Sequence, residues 1–186
     1  SAHWELFCLE HQLQADGSYR PTGDSKEHPS TAVCAELSSG KYVPRAVLVD
    51  LEPSAIDSIR AGRLRELFDG RCMIQGKEDA AGNYASGYYG AGKAVIGATV
   101  DRVRLLSEAC SSLSGIVMCH ALGGGTGSGF ASLLVQRLSS LYGATQKTSI
   151  CIFPGSRSAA VEPYNFVLSN HALQDLIDLT LVFDND

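Results

Sequence analysis

The chain has 186 residues, 45% of them hydrophobic and 19% charged, with a net charge of −5. That length and balance suit one domain able to bury a core, and the negative charge speaks against a sequence-independent grip on a nucleic-acid backbone. No apolar run approaches the ~20 residues of a membrane span, and "SAHWELFCLEH" has neither the basic region nor the small-residue cleavage site of a secretory signal, so neither membrane nor nucleic acid is an expected partner.

"WELFCLEHQL" has Trp4, Phe7 and Cys8 at helical spacing and predicts a helix. Residues 14–44 are polar and punctuated by Gly17, Pro21, Gly23, Pro29, Gly40 and Pro44, the pattern of a long surface loop with short strand pieces. "RAVLVDLEP" reads as a buried strand, followed by a short helix from Ser54 to Ala61. Residues 63–82 read as irregular. From Asn83 to about Ala109, Tyr84, Tyr88, Val95, Ile96, Val100, Val103 and Leu106 fall near one helical face. "GIVMCHAL" is a second buried strand, and Phe130, Leu133, Leu134, Leu138 and Leu141 mark an amphipathic helix after it. "TSICIFP" is a third strand, Pro163 to about Leu176 a helix, and "LTLVFDND" a fourth strand. Strands alternate with helices, and most strands are continuous apolar runs. That predicts an α/β fold with a parallel sheet covered on both faces. No internal repeat or obvious domain boundary interrupts the chain, which is read as one domain over 1–186.

The six cysteines, Cys8, Cys34, Cys72, Cys110, Cys119 and Cys151, are scattered, with no CxxC pair. Several lie in apolar runs, so buried free thiols are expected rather than disulfides or a zinc site.

The chemistry concentrates in "HALGGGTGSGF", where five of the seven residues from Gly123 to Gly129 are glycine. This loop joins a predicted strand directly to a predicted amphipathic helix, the place of a phosphate-binding turn rather than of a linker. Successive backbone N–H groups there make an anion nest, and the following helix adds a partial charge of roughly +0.5. Thr126 and Ser128 offer hydroxyls to the same anion or to the helix end. The loop is not a P-loop, since no Gly-Lys-Ser/Thr closes it. The dinucleotide fingerprint is incomplete, because the acid expected ~20 residues on is missing from "LSSLYGATQK". With no lysine at the loop, a metal ion must help neutralise phosphates. Asp50 and Glu52, two carboxylates leaving a strand at i and i+2, suit Mg²⁺; solvated acids on a turn are the alternative. His120 precedes the loop and reads as a packed strand histidine rather than a catalytic base.

The string GGGTGSGF resembles the signature of the tubulin family. "WELFCLEH", "VPRAVLVDLEP", "GKEDAAGNYA", "VEPYN" and "DND" appear in tubulin order at close to tubulin spacing. "WELFCLEH", "GKEDAA" and Phe130 look like α-tubulin. The resemblance covers nearly the whole chain and implies a Rossmann-like nucleotide-binding domain, in part, for GTP and Mg²⁺. It implies that Gly123, Gly124, Gly125, Thr126, Gly127 and Ser128 form the phosphate loop, and that Asp50 and Glu52 face the metal. Asp79, Ala80 and Ala81 would lie beside the γ-phosphate, Ser158 and Glu162 near the ribose, and Asn185 at the guanine edge. It further implies a β-tubulin-type partner, further subunits and associated proteins in a microtubule, and a cytoplasmic, cytoskeletal location. The family's first strand with its glycine–glutamine turn, its later domains and its catalytic acid fall outside this sequence, so the chain is expected to be a fragment with no catalytic residue of its own.

Three departures stand out against the family pattern. Ala121 replaces a serine used near the phosphates, Gly82 replaces an asparagine facing the γ-phosphate, and "PGSRSAAVEPYN" is about two residues short. They support an alternative, a degenerate or truncated tubulin that no longer binds nucleotide and acts as an interaction module. A nucleotide-dependent dehydrogenase is the third reading, and the missing ribose acid argues against it.

Overall fold

The computed structural model describes residues 2–21, 30–155 and 159–184. Ser158 and Asn185 therefore lie outside the described residues. The chain divides into two compact units, one of residues 1–49 and 53–74, the other of 50–52 and 75–186.

In the first unit, helix α1 (Ala2–Glu10) turns Trp4, Phe7 and Cys8 onto a cluster with Leu13, Cys34, Tyr42, Ile56, Leu64, Leu67, Phe68 and Met73. Trp4 meets Phe68 edge-on at 5.3 Å, an arrangement that suits the ring quadrupoles. The stretch 14–44 holds strands β1 (Cys34–Glu36) and β2 (Tyr42–Pro44), an antiparallel pair with Ala35 opposite Val43. Cys34 and Tyr42 are buried, so this stretch feeds the core as well as covering surface. Asp16 shapes the approach to β2. It accepts from the Ser18 N–H (3.0 Å) and hydroxyl (2.7 Å) and pairs with Lys41 at 3.1 Å. Those hydrogen bonds from Ser18 and Lys41 hold its carboxyl well below the usual carboxylate range.

Strand β3 (Leu48–Asp50) is three residues long and half-buried, where a longer buried strand was expected. Helix α2 (Pro53–Ala61) follows, with Pro53 at the position where a missing N–H is not needed. The expected irregular stretch 63–82 contains a short 3₁₀ turn, Gly70–Cys72, and strand β4 (Met73–Gln75), which forms a two-stranded sheet with β3.

In the second unit, β5 (Gly115–Ala121), β6 (Gln146–Phe153) and β7 (Leu179–Asp184) form a parallel sheet in that order. Val117 pairs with Thr148, and Ile150 with Leu181. The parallel pairing matches the sequence expectation. Cover on both faces does not. Lys147, Ser149 and Cys151 on one face are buried, whereas Val117, Ile152, Leu181 and Phe183 on the other are exposed. Along β5 exposure alternates residue by residue, the mark of a sheet covered on one side.

The helix expected over Asn83–Ala109 is two, α3 (Tyr84–Tyr89) and α4 (Ala91–Glu108), broken at Gly90 with φ −101° and ψ −112°. Asn83 caps α3 by accepting from the Ala85 N–H at 2.8 Å. A π-helical turn, Thr126–Phe130, leads into α5 (Ala131–Leu141), whose Leu133, Leu134, Val135 and Leu138 are buried. Helix α6 spans Glu162–Leu173. The cysteines are free thiols, and Cys8, Cys34, Cys72 and Cys151 are buried. Burial pushes Cys34 up to about 11, which keeps it protonated and unreactive. Among the described residues no group of three His, Cys, Asp or Glu could hold a metal.

Candidate functional site

The glycine loop leaves the C-terminal end of β5, the edge at which open α/β sheets bind ligands. A cleft of about 250 Å³ opens there, lined by Ala121, Gly123 and Gly124, by Phe153 at the end of β6, and by Gly82 and Glu162. Pockets for whole ligands run ~300–1,000 Å³, so this volume takes part of a nucleotide-sized molecule.

Local packing fixes why the loop is glycine. A Cβ on Gly125 would stand 2.6 Å from the Ala80 Cβ and 2.8 Å from the Asn83 N and O. The segment 79–83 thus lies directly against the loop. Ala80 is fully buried at that contact, while Asp79 and Ala81 are exposed beside it. Ala81 and Gly82 both take left-handed backbone, φ 49° and 63°; at 81 that conformation is strained for a residue bearing a Cβ. Gly124 is the exception in the loop. It is exposed, and a side chain there would meet nothing within 4 Å. Glu162 reaches the other flank, its Oε2 2.8 Å from the Cβ position of Gly123, while its Oε1 accepts from the Ala159 N–H at 3.0 Å.

The two hydroxyls of the loop have partners inside the protein. Thr126 donates to Asp50 Oδ1 at 2.9 Å, and Asp50 also accepts from the Leu51 N–H at 2.8 Å. Ser128 is fully buried and donates to the Gly124 carbonyl at 2.5 Å, so it braces the loop from within. Glu52 is exposed two residues beyond Asp50. Of the residues singled out in the sequence, Asp50, Ala80, Thr126, Glu162 and the glycines come together here.

Two residues do work that the sequence reading did not assign. Asn165 is 3% exposed. Its amide donates to Gly123 O at 2.6 Å and Gly82 O at 2.7 Å, and accepts from the Tyr84 N–H at 2.9 Å. It faces inward with Ser169 and Leu173, a buried stripe that is mostly polar. A search for apolar periodicity passes over such a stripe.

His120 is a packed strand histidine, as expected, but one with a task. Its Nδ1 lies 2.6 Å from the Gly127 carbonyl and its Nε2 2.9 Å from the Ser149 hydroxyl. A carbonyl only accepts, so Nδ1 carries the proton, and in the neutral ring that burial favours Nε2 accepts from the Ser149 hydroxyl. Burial lowers its pKa below the ordinary 6.5, against the pull of the Gly127 carbonyl. A depressed histidine pKa gives stability that is present above 6.5 and lost as pH falls through the folded value. The melting temperature of the wild type should therefore drop between pH 6.5 and the folded pKa more steeply than that of His120→Asn, as followed by circular dichroism. Equal slopes would show that the ring is not held neutral.

The Tubulin/FtsZ family, GTPase domain, matches residues 1–186. The chain is similar to the tubulin alpha-1B chain of Physarum polycephalum, 48% identical over 191 residues, covering 100% of this chain and 42% of that protein. It is similar to the tubulin alpha-2 chain of Emericella nidulans, 50% identical over 192 residues, with 98% and 42% covered. The tubulin alpha-2 chain of Caenorhabditis elegans is 47% identical over 189 residues, with 100% and 42% covered. The chain thus spans 42% of the length of these curated relatives.

Proposed function

The chain belongs to the Tubulin/FtsZ family, as an α-tubulin-like GTPase domain, and from that premise we propose that its cleft holds GTP with Mg²⁺. The observation that carries the reading is the exposed Gly124 at the mouth of a loop that leaves β5 and enters the π-helical turn. Backbone N–H groups from Gly123 to Gly127 and the start of the helix take the phosphates. Asp79, Ala80 and Ala81 flank the phosphate tail. Ser158 and Glu162 are assigned to the ribose, and Asn185 to the guanine edge.

The donor set fits magnesium. Asp50 and Glu52 are hard oxygen ligands, and Asp50 is tied to the phosphate loop through Thr126. These two residues would hold the ion, with water and phosphate oxygens completing its shell. When bound, it neutralises phosphate charge that no lysine of the loop meets. In an α-type subunit the GTP is structural, held at the contact with a β-tubulin-type partner. The assembled product is a microtubule, with associated proteins as further partners and the cytoskeleton as the location. Chemistry in such a polymer is attack of water on the γ-phosphate, with an acid supplied from outside these residues.

Titration with radiolabelled GTP tests the metal assignment. Replacing Mg²⁺ by EDTA should weaken binding about tenfold or more, ~1.4 kcal/mol at the least. Unchanged affinity would remove Asp50 and Glu52 from the metal's shell.

A second reading is a tubulin that has lost its nucleotide. One observation favours it: Ala121 and Gly82, which lack the polar side chains of the family pattern, both line the cleft.

A further inference from the structure

Asn165 satisfies three backbone groups at once, and their chemistry fixes how its amide is oriented. Gly123 O and Gly82 O can only accept, and the Tyr84 N–H can only donate, so Nδ2 faces the two carbonyls and Oδ1 faces Tyr84. The peptide between Gly123 and Gly124 is planar and trans, so its C=O and N–H point in opposite directions. With the carbonyl drawn inward to Asn165, the Gly124 N–H is turned outward. Outward is the open side, because Gly124 lines the cleft and has no atom near its Cβ position.

We propose that Asn165 is the positioning residue of the phosphate loop: it turns the Gly123–Gly124 peptide so that the Gly124 N–H donates to an anion in the cleft. This rests on the reading that the cleft holds the phosphates of GTP. The same amide carries the Gly82 carbonyl, so it also sets the spacing between the 79–83 segment and the glycine loop. Neither task can be met by an ionised carboxylate, which has no donor, or by an aliphatic side chain.

The test uses the full chain, labelled GTP and Mg²⁺, with melting measured in parallel. At about pH 8, Asn165→Asp should bind GTP about tenfold or more weakly than wild type, the loss expected for a misdirected donor to a charged group. An aspartate buried against two carbonyls, with Glu162 one turn before it on α6, binds a proton readily as pH falls to about 6. The protonated carboxyl regains one donor, so its affinity should recover relative to wild type over that range. A purely structural role would move the melting temperature without that pH profile.

Gly124→Pro supplies the second arm. It deletes the outward N–H at an exposed position, leaves the Asn165 contacts intact, and should lose affinity about tenfold at every pH with melting unchanged. Where Asn165→Asp does not fold, the Gly124→Pro arm still tests the step the proposal depends on, an anion held by the Gly124 N–H. Wild-type affinity in Gly124→Pro, or in folded Asn165→Asp, overturns the assignment and leaves the nucleotide reading standing. A wild-type chain that binds no GTP overturns both.

Discussion

Gly127→Ala should melt about 6–12 °C below the wild type, the consequence of roughly 3 kcal/mol of overpacking in a domain of this size. The added Cβ would stand against the backbone carbonyl of Ala121, with the Ala121 N at 2.9 Å and C at 3.0 Å. No flexible side chain is there to give way. Ala121 is fixed by its pairing with Ile152 in the parallel sheet, so the π-helical turn must move instead. That turn carries the Thr126 bond to Asp50 and presents the Gly127 carbonyl to His120. Gly124→Ala, three residues away, puts its methyl into open space and should melt with the wild type. Scanning calorimetry of the pair checks this, and similar melting of the two variants would show that close backbone approach is not what the loop glycines provide.

Asn165→Leu should cost about 3–5 kcal/mol, because it strands the buried Gly123 carbonyl and Tyr84 N–H, each worth ~1–3 kcal/mol, and unpairs the part-buried Gly82 carbonyl. Leucine has the same branched outline as asparagine and is the larger of the two, so none of this is cavity. Ser169→Ala on the same buried face is the control. The Ser169 hydroxyl has no hydrogen-bond partner among the described residues, so removing it should be neutral or slightly stabilising. Urea midpoints that fall equally for the two variants would contradict the role given to the Asn165 amide.

The parallel sheet was legible because "GIVMCHAL", "TSICIFP" and "LTLVFDND" are continuous apolar runs separated by helical periodicity. The glycine loop was legible because no other local feature asks for five glycines between a strand and a helix. The open face of the sheet was not legible, since Val117, Leu181 and Phe183 look like core residues and are exposed. The break at Gly90 was hidden because the apolar face continues through it; it goes with close packing on a distant segment, Gly87 lying against the Gly125 carbonyl and Gly92 against the Phe130 ring. Asn165 and His120 escaped for one reason. Their work is hydrogen bonding to backbone carbonyls of segments up to 83 residues away in sequence, and side-chain periodicity carries no trace of such partners.

The most direct test of the account is to purify the chain, denature it and identify the released nucleotide by chromatography. GTP at close to one per chain is the expected result. Soluble, folded protein that releases no nucleotide would contradict it and leave the degenerate reading, with Ala121 and Gly82 at the cleft, in its place.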